Sequence, residues 1–276
     1  MNKIDAFTDW QNTHTAPYHF PMSADLWDTS MYEDVDSNGR LLFDEIHTKT
    51  AEHAMIQYGY TAFGFDDNGE ISNKIHYAVI RDLYFDPACP SDGLQLLEEA
   101  MGFFRNQERV YAFFHYFGMS TCARHGKLHE SQRHIHDLLL ENGFQVEHEN
   151  VYYAKELNNK DAPDERISLT WQGLNAGSCR EFSVAADGQE FGWGQVHFLP
   201  QGHIAYLRWI YIDEKRQHQG LGTATMKTLC AELYRMGITR FDTDTARNNT
   251  AAQGYYEKTG FTNAGITRSY YKNKND

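Results

Sequence analysis

The residues with the clearest chemical meaning are Gln217, Gly220, Gly222 and Thr223, in the run QHQGLGT at residues 217–223. An apolar strand-like run, AYLRWIYID at 205–213, precedes them, and a helical run, TATMKTLCAELYRMG at 223–237, follows. Strand, glycine turn and helix in that order can hold a phosphate. The first amides of a helix have no internal acceptor, and the helix dipole favours an anion there. Gly220 and Gly222 let the backbone approach a ligand with no Cβ in the way. Thr223 adds a hydroxyl at the helix start. No Gly-Lys-Ser/Thr follows, so this is not a Walker A loop. The three spaced glycines of a dinucleotide fingerprint are also missing.

A second constellation follows the next strand-like run: Asn249-x-x-Ala252-x-x-Tyr255-Tyr256-Glu257-Lys258-x-Gly260-Phe261. With both motifs in this order and separation, residues 188–271 resemble the GNAT superfamily of N-acetyltransferases. The resemblance implies acetyl-CoA as cosubstrate, its pyrophosphate held by backbone amides of Gln217, His218, Gln219, Gly220, Leu221, Gly222 and Thr223. It implies that Ile210, Tyr211 and Ile212 pair with the pantetheine arm and polarise the thioester carbonyl. It makes Asn249 a hydrogen-bond partner of the same arm, and Tyr256 the general acid that protonates the leaving thiolate. The reaction implied is direct attack by the amine of a small molecule in a ternary complex. Some family members place a glutamate base on the strand before the glycine turn, where this chain has Tyr206. Asp242, Asp244, Asp213 and His203 are the remaining base candidates. Two other readings of the motifs stand beside this one: a non-catalytic acyl-CoA sensor, and a transferase for a longer acyl chain.

The elements that must position these residues make up a chain of 276 residues, long enough for two domains. Hydrophobic residues form 41% of it, ample for a core. A net charge of −13 argues against a nucleic-acid surface, which needs clustered Lys and Arg. No leader and no apolar run of membrane-spanning length is visible, so a cytoplasmic protein without a membrane partner is expected. Cys89, Cys122, Cys179 and Cys230 have no CxxC spacing and read as free thiols. His125 and His129, spaced to share a helix face, and His134 and His136 lack a third ligand of fixed spacing, so no metal is expected. Self-association as a homodimer is compatible with the chain.

The expected fold class is α+β: two tandem GNAT-like domains, each a mixed, mainly antiparallel central sheet flanked by helices. The domains read as 1–157 and 165–276, joined through the polar run ELNNKDAPDER at 156–166. In the first, two short helices are expected within 23–53, a hairpin from 54–66 and 74–85, a helix at 92–106 and a strand at 110–116. A helix at 130–142 capped by Gly143 and two short strands within 144–155 complete it. LLLENGF at 138–144 aligns with YYEKTGF at 255–261, which suggests an internal duplication of about 117 positions. The first copy has Pro87-Ala88-Cys89-Pro90-Ser91-Asp92-Gly93 at the phosphate turn and Leu139 at the tyrosine position, so it is expected to bind no CoA. The run 166–179 is too short for the two helices that usually form the family's acceptor wall.

Overall fold

The computed structural model describes residues 8, 12–13, 20–118 and 126–274. The chain divides into two compact units. The first comprises Met1–Asp36, Arg40–Glu149 and Ile266–Asp276; the second comprises Ser37–Gly39 and Asn150–Gly265.

In the first unit, helix α1 (Ala24–Tyr32) is followed by strands β1 (Phe43–Thr50) and β2 (Ala54–Thr61). A small hairpin of β3 (Gly64–Phe65) and β4 (Ile71–Ser72) leads to β5 (Ala78–Phe85). Helix α2 (Pro90–Phe103) crosses to β6 (Arg109–Ala112), which lies parallel to β5. The short β7 (Leu128–His129), helix α3 (Arg133–Glu141) and the long strand β8 (Gln145–Glu156) follow. β5 is buried along its whole length, as a central strand covered on both faces must be. Leu97 and Ala100 of α2, Ile80 of β5 and Leu139 of α3 share one core with Trp27.

Three expectations for this unit fail. Phe43–Thr50, read as a helix, is a strand because it pairs antiparallel with β2 from Phe43↔Thr61 to Thr50↔Met55. Tertiary pairing here overrides a segment whose apolar spacing also fits a helix. Residues 145–156 form one strand rather than two. The strand expected at 110–116 ends at Ala112, where Phe113 turns to φ +53°.

In the second unit, β9 (Ser168–Trp171), β10 (Cys179–Ala186), β11 (Gln189–Phe198) and β12 (Ile204–Ile212) form an antiparallel meander. Helix α4 (Leu221–Arg235) crosses to β13 (Arg240–Ala246), parallel to β12 through Ala205↔Phe241 and Leu207↔Thr243. Residues 150–156 of β8 close this sheet, antiparallel to β13. Helix α5 (Thr250–Lys258) and strand β14 (Thr262–Asn273) end the chain. Leu229 and Leu233 of α4, Tyr256 of α5, Phe241, Ala205 and Leu207 form the core on one face of the sheet.

The two units repeat one plan: a hairpin, a helical crossover to a parallel strand, a nine-residue helix, a left-handed glycine and a twelve-residue strand. The glycines are Gly143 at φ +81° and Gly260 at φ +89°. Each long strand changes unit along its length. β8 leaves the first unit after Glu149, and β14 returns to it from Ile266, where Tyr270 pairs with Ala112. The contact boundary therefore lies inside β8. The polar run at 156–166 belongs to the second unit: Leu157 is buried in its core and Asp164 N–H bonds Thr228 Oγ1 at 3.0 Å.

No helix among the described residues is long and apolar enough to cross a membrane. Nor do any three His, Cys, Asp or Glu among them stand where they could hold a metal ion. His125 and Cys122 lie outside the described residues. His129 is on β7, not on a helix, and its Nδ1 lies 2.8 Å from Ser131 Oγ. His134 Nε2 contacts the Phe85 carbonyl oxygen, and His136 Nδ1 the Tyr270 hydroxyl.

Candidate active site

β12 and β13 stay paired only as far as Leu207 and Thr243. Beyond that point their ends part, and a cleft of about 560 Å³ opens between β12, the glycine turn and α5. The turn is built by local rules. Asp213 caps a 3₁₀ turn, Glu214–Arg216, by accepting from Lys215 N–H. His218 then takes φ +60° and Gly220 φ +78°. Gly220 is the N-cap of α4, so the amides of the next residues face outward without helical acceptors. Side chains brace the loop: Gln217 Nε2 donates to the Ile212 carbonyl and Gln219 Nε2 to that of Lys215.

Ile210, Ile212, Gln217, His218, Gly220, Gly222, Thr223 and Tyr256 all line the cleft. The other named residues do not. Tyr211 points to the opposite face and is exposed, Leu221 is buried in the core, and Gln219 is turned to the loop. Asn249 caps α5, its Oδ1 accepting from Ala252 N–H at 3.1 Å. Five more residues line the cleft: Ala252, Tyr255 and Lys258, which belong to the second motif but were given no role, and Ala251 and Gly254, which lie outside it. Ala251, Gly254, Tyr255 and Lys258 form one stripe of α5 at i, i+3, i+4 and i+7. Two small residues on that stripe were the available signal.

Tyr256 is nearly buried. Burial pushes its hydroxyl above the usual tyrosine range; a hydrogen bond with Thr243 opposes this, and the charge of Asp244 adds to it. The hydroxyl therefore stays protonated at neutral pH, as a proton donor must. Thr243 Oγ1 in turn donates to the Leu207 carbonyl, so Tyr256 is anchored where the strands part.

The base candidates separate clearly. Asp242 is buried, accepts from the Tyr152 hydroxyl at 2.6 Å and is clamped by Arg240 Nε at 3.0 and 3.1 Å. Asp213 serves the loop cap, and His203 Nδ1 sits against the Gln201 carbonyl. Asp244 is partly exposed, and its charge adds to burial in raising the pKa of the Tyr206 hydroxyl well above normal.

The matching turn of the first unit differs. Cys89 offers no side-chain cap, Pro90 has no N–H, and the Ala88 and Cys89 amides are taken by Asp86. Gly93 lies under Phe85, where a Cβ would meet the ring at 2.4 Å. Leu139, at the position of Tyr256, is wholly buried in the core.

The acetyltransferase (GNAT) family matches residues 137–261. That stretch is an acetyltransferase domain of the GNAT family. Curated relatives include the aminoglycoside N(6′)-acetyltransferase type 1 of Klebsiella aerogenes, 28% identical over 33% of this chain and 63% of the relative. The [ribosomal protein bS18]-alanine N-acetyltransferase of Escherichia coli is 39% identical over 22% of this chain and 42% of the relative. The chain thus spans less than two thirds of the curated relatives it matches. A tandem GNAT protein from the clavulanic acid biosynthesis pathway has the same fold, with a TM-score of 0.63 over 98% of this chain and 94% of the other at 10% identity. A GCN5-related glucosamine N-acetyltransferase region of a fungal multi-domain β-N-acetylglucosaminidase also reaches 0.63, over 98% and 37%, at 10% identity.

Proposed function

We propose that the protein transfers an acetyl group from acetyl-CoA to the amine of a small molecule. The observation that carries this reading is the cleft at the parting of β12 and β13, with unfilled amide donors at one end and the Tyr256 hydroxyl at the other. A diphosphate fits the turn because Gly220 and Gly222 leave the backbone bare and the helix start favours an anion. Ile210 and Ile212 line the length of the cleft, suited to an extended arm. In the proposed step the amine nitrogen attacks the thioester carbonyl, the carbon–sulfur bond breaks, and Tyr256 donates its proton to the departing sulfur. Asp244 takes the proton that the amine loses. Asp244 suits this role better than Asp242, which Arg240 and Tyr152 hold. The relatives' names, an aminoglycoside and an alanine acetyltransferase, are consistent with an amine acceptor. The first unit, with its occupied turn and Leu139, is proposed to bind no CoA.

Tyr256→Phe tests the reading. Turnover, followed as CoA thiol release over a panel of amines, should fall about 100-fold with acetyl-CoA affinity unchanged. Wild-type protein that binds acetyl-CoA yet releases no thiol with any amine would favour a sensor. No binding of acetyl-CoA would overturn the site assignment.

A further inference from the structure

The face of the second sheet turned away from α4 and α5 carries a group that the acyl-transfer reading leaves unused. The register of β11 against β12 slips between Val196↔Leu207 and Gln195↔Trp209. Arg208 is the extra residue of this bulge. It joins Trp209 on the face away from Leu207 and the helices, its guanidinium 5.1 Å from the Trp209 ring centroid. Arg208 is half-buried. Its Nη1 donates to Gln195 Oε1 at 3.1 Å and lies 4.0 Å from Cys179 Sγ; its Nε is buried without a hydrogen-bond partner. Among the described residues no carboxylate forms an ion pair with it. Glu181 is reached only through Gln195, whose Nε2 contacts Glu181 Oε1 at 3.3 Å. A half-buried cation with an unfilled donor needs an anion to offset its lost hydration.

Two further features lie on the same face. Tyr206, two residues before Arg208, is influenced by both Asp244 and Arg208, so one anionic and one cationic group flank its hydroxyl. Exposed rings stand beside them: Trp193 lies 6.0 Å from Trp209 and 6.4 Å from Tyr211, centroid to centroid. Leu207, the neighbour of Arg208, accepts the Thr243 hydrogen bond that anchors Tyr256.

We infer that this face takes the acceptor, and that the acceptor is an amino acid with a ring-bearing side chain. Its carboxylate pairs with Arg208, its amine lies toward Asp244, and its ring stacks on Trp193, Trp209 and Tyr211. The inference rests on the acyl-transfer reading for its account of why an amine is held there. Paired charges of opposite sign match a zwitterion better than a simple cation, which Arg208 would repel.

Calorimetry on the full chain tests it with L-phenylalanine, L-tyrosine and L-tryptophan against their carboxamides. The acids should bind ten- to a hundredfold more tightly, the range for a hydrogen bond to a charged group. Arg208→Gln should weaken the acids alone and erase the difference, and Arg208→Lys should restore part of it. Acids and carboxamides that bind wild type equally, or not at all, would overturn the inference. So would an Arg208→Gln protein that folds and keeps the preference. Acetyl-CoA titrated into the same samples checks folding and the acyl-transfer reading separately, since its binding does not depend on Arg208.

Discussion

The Tyr255 hydroxyl donates to the Gly222 carbonyl oxygen across 2.9 Å, and its ring lies where a Gly222 Cβ would touch it at 3.4 Å. This contact ties α5 to the first turn of α4, the two helices that bound the cleft. Burial raises the Tyr255 hydroxyl far above the normal tyrosine range, so the proton stays in place to make the bond.

Tyr255→Phe removes that bond and keeps the ring. The expected cost is about 1 kcal/mol of stability. With the wall of the cleft loosened, KM for acetyl-CoA should rise several-fold while kcat changes little. Thermal melts and initial rates check both parts.

Gly220→Ala isolates backbone geometry. Nothing lies within 4 Å of the added Cβ, yet φ is +78°. The left-handed conformation should therefore cost about 1–2 kcal/mol by itself. Relief of that strain would rotate the amides at the start of α4, so acetyl-CoA affinity should fall more than stability does. Gly188→Ala is the control, with φ +74°, open space around the Cβ and a position in the β10–β11 turn. It should lose similar stability and keep acetyl-CoA affinity. Calorimetry with acetyl-CoA separates the two.

The local signals were legible because each is contiguous in the chain. Strand, glycine turn and helix at 205–237 need only their own residues, as do the capping glycines Gly143 and Gly260. Pairings between distant segments were not. The β-formers Val151, Tyr152 and Tyr153 mark a strand, but nothing local names β13 as its partner, and nothing in 266–273 names β6. The segment Phe43–Thr50 misled because its fate depends on β2. Arg208 was invisible as a feature because its direction follows from a bulge, which appears only once β11 and β12 are in register.

Asp242 and Asp244 lie two residues apart on one strand and should respond oppositely to amide substitution. Asp242→Asn weakens the clamp of Arg240 and Tyr152. It should cost about 3 kcal/mol or more, as the loss of a buried partner does, and leave kcat of the folded fraction near wild type. Asp244→Asn should lower kcat at neutral pH about 100-fold with little change in melting temperature. The same amine panel and thermal melts report both. Equal losses of kcat would remove Asp244 from its proposed role.

Asp82 makes the stability of the first unit depend on pH. It is buried on β5, and burial pushes its carboxyl from 3.8 up to about 8, with only partial relief from the Leu83 amide and Arg81. A carboxyl whose folded pKa lies above its unfolded value binds its proton more tightly when folded. That contribution is complete below about pH 4 and is lost as pH rises through about 8. A shift of this size is worth on the order of several kcal/mol. Asp82→Asn copies the protonated acid at every pH. The variant should match wild type near pH 4 and melt progressively higher than wild type as pH approaches 9. Melting curves of both proteins across that range decide it: a constant offset would mean that Asp82 carries its charge in the folded chain throughout.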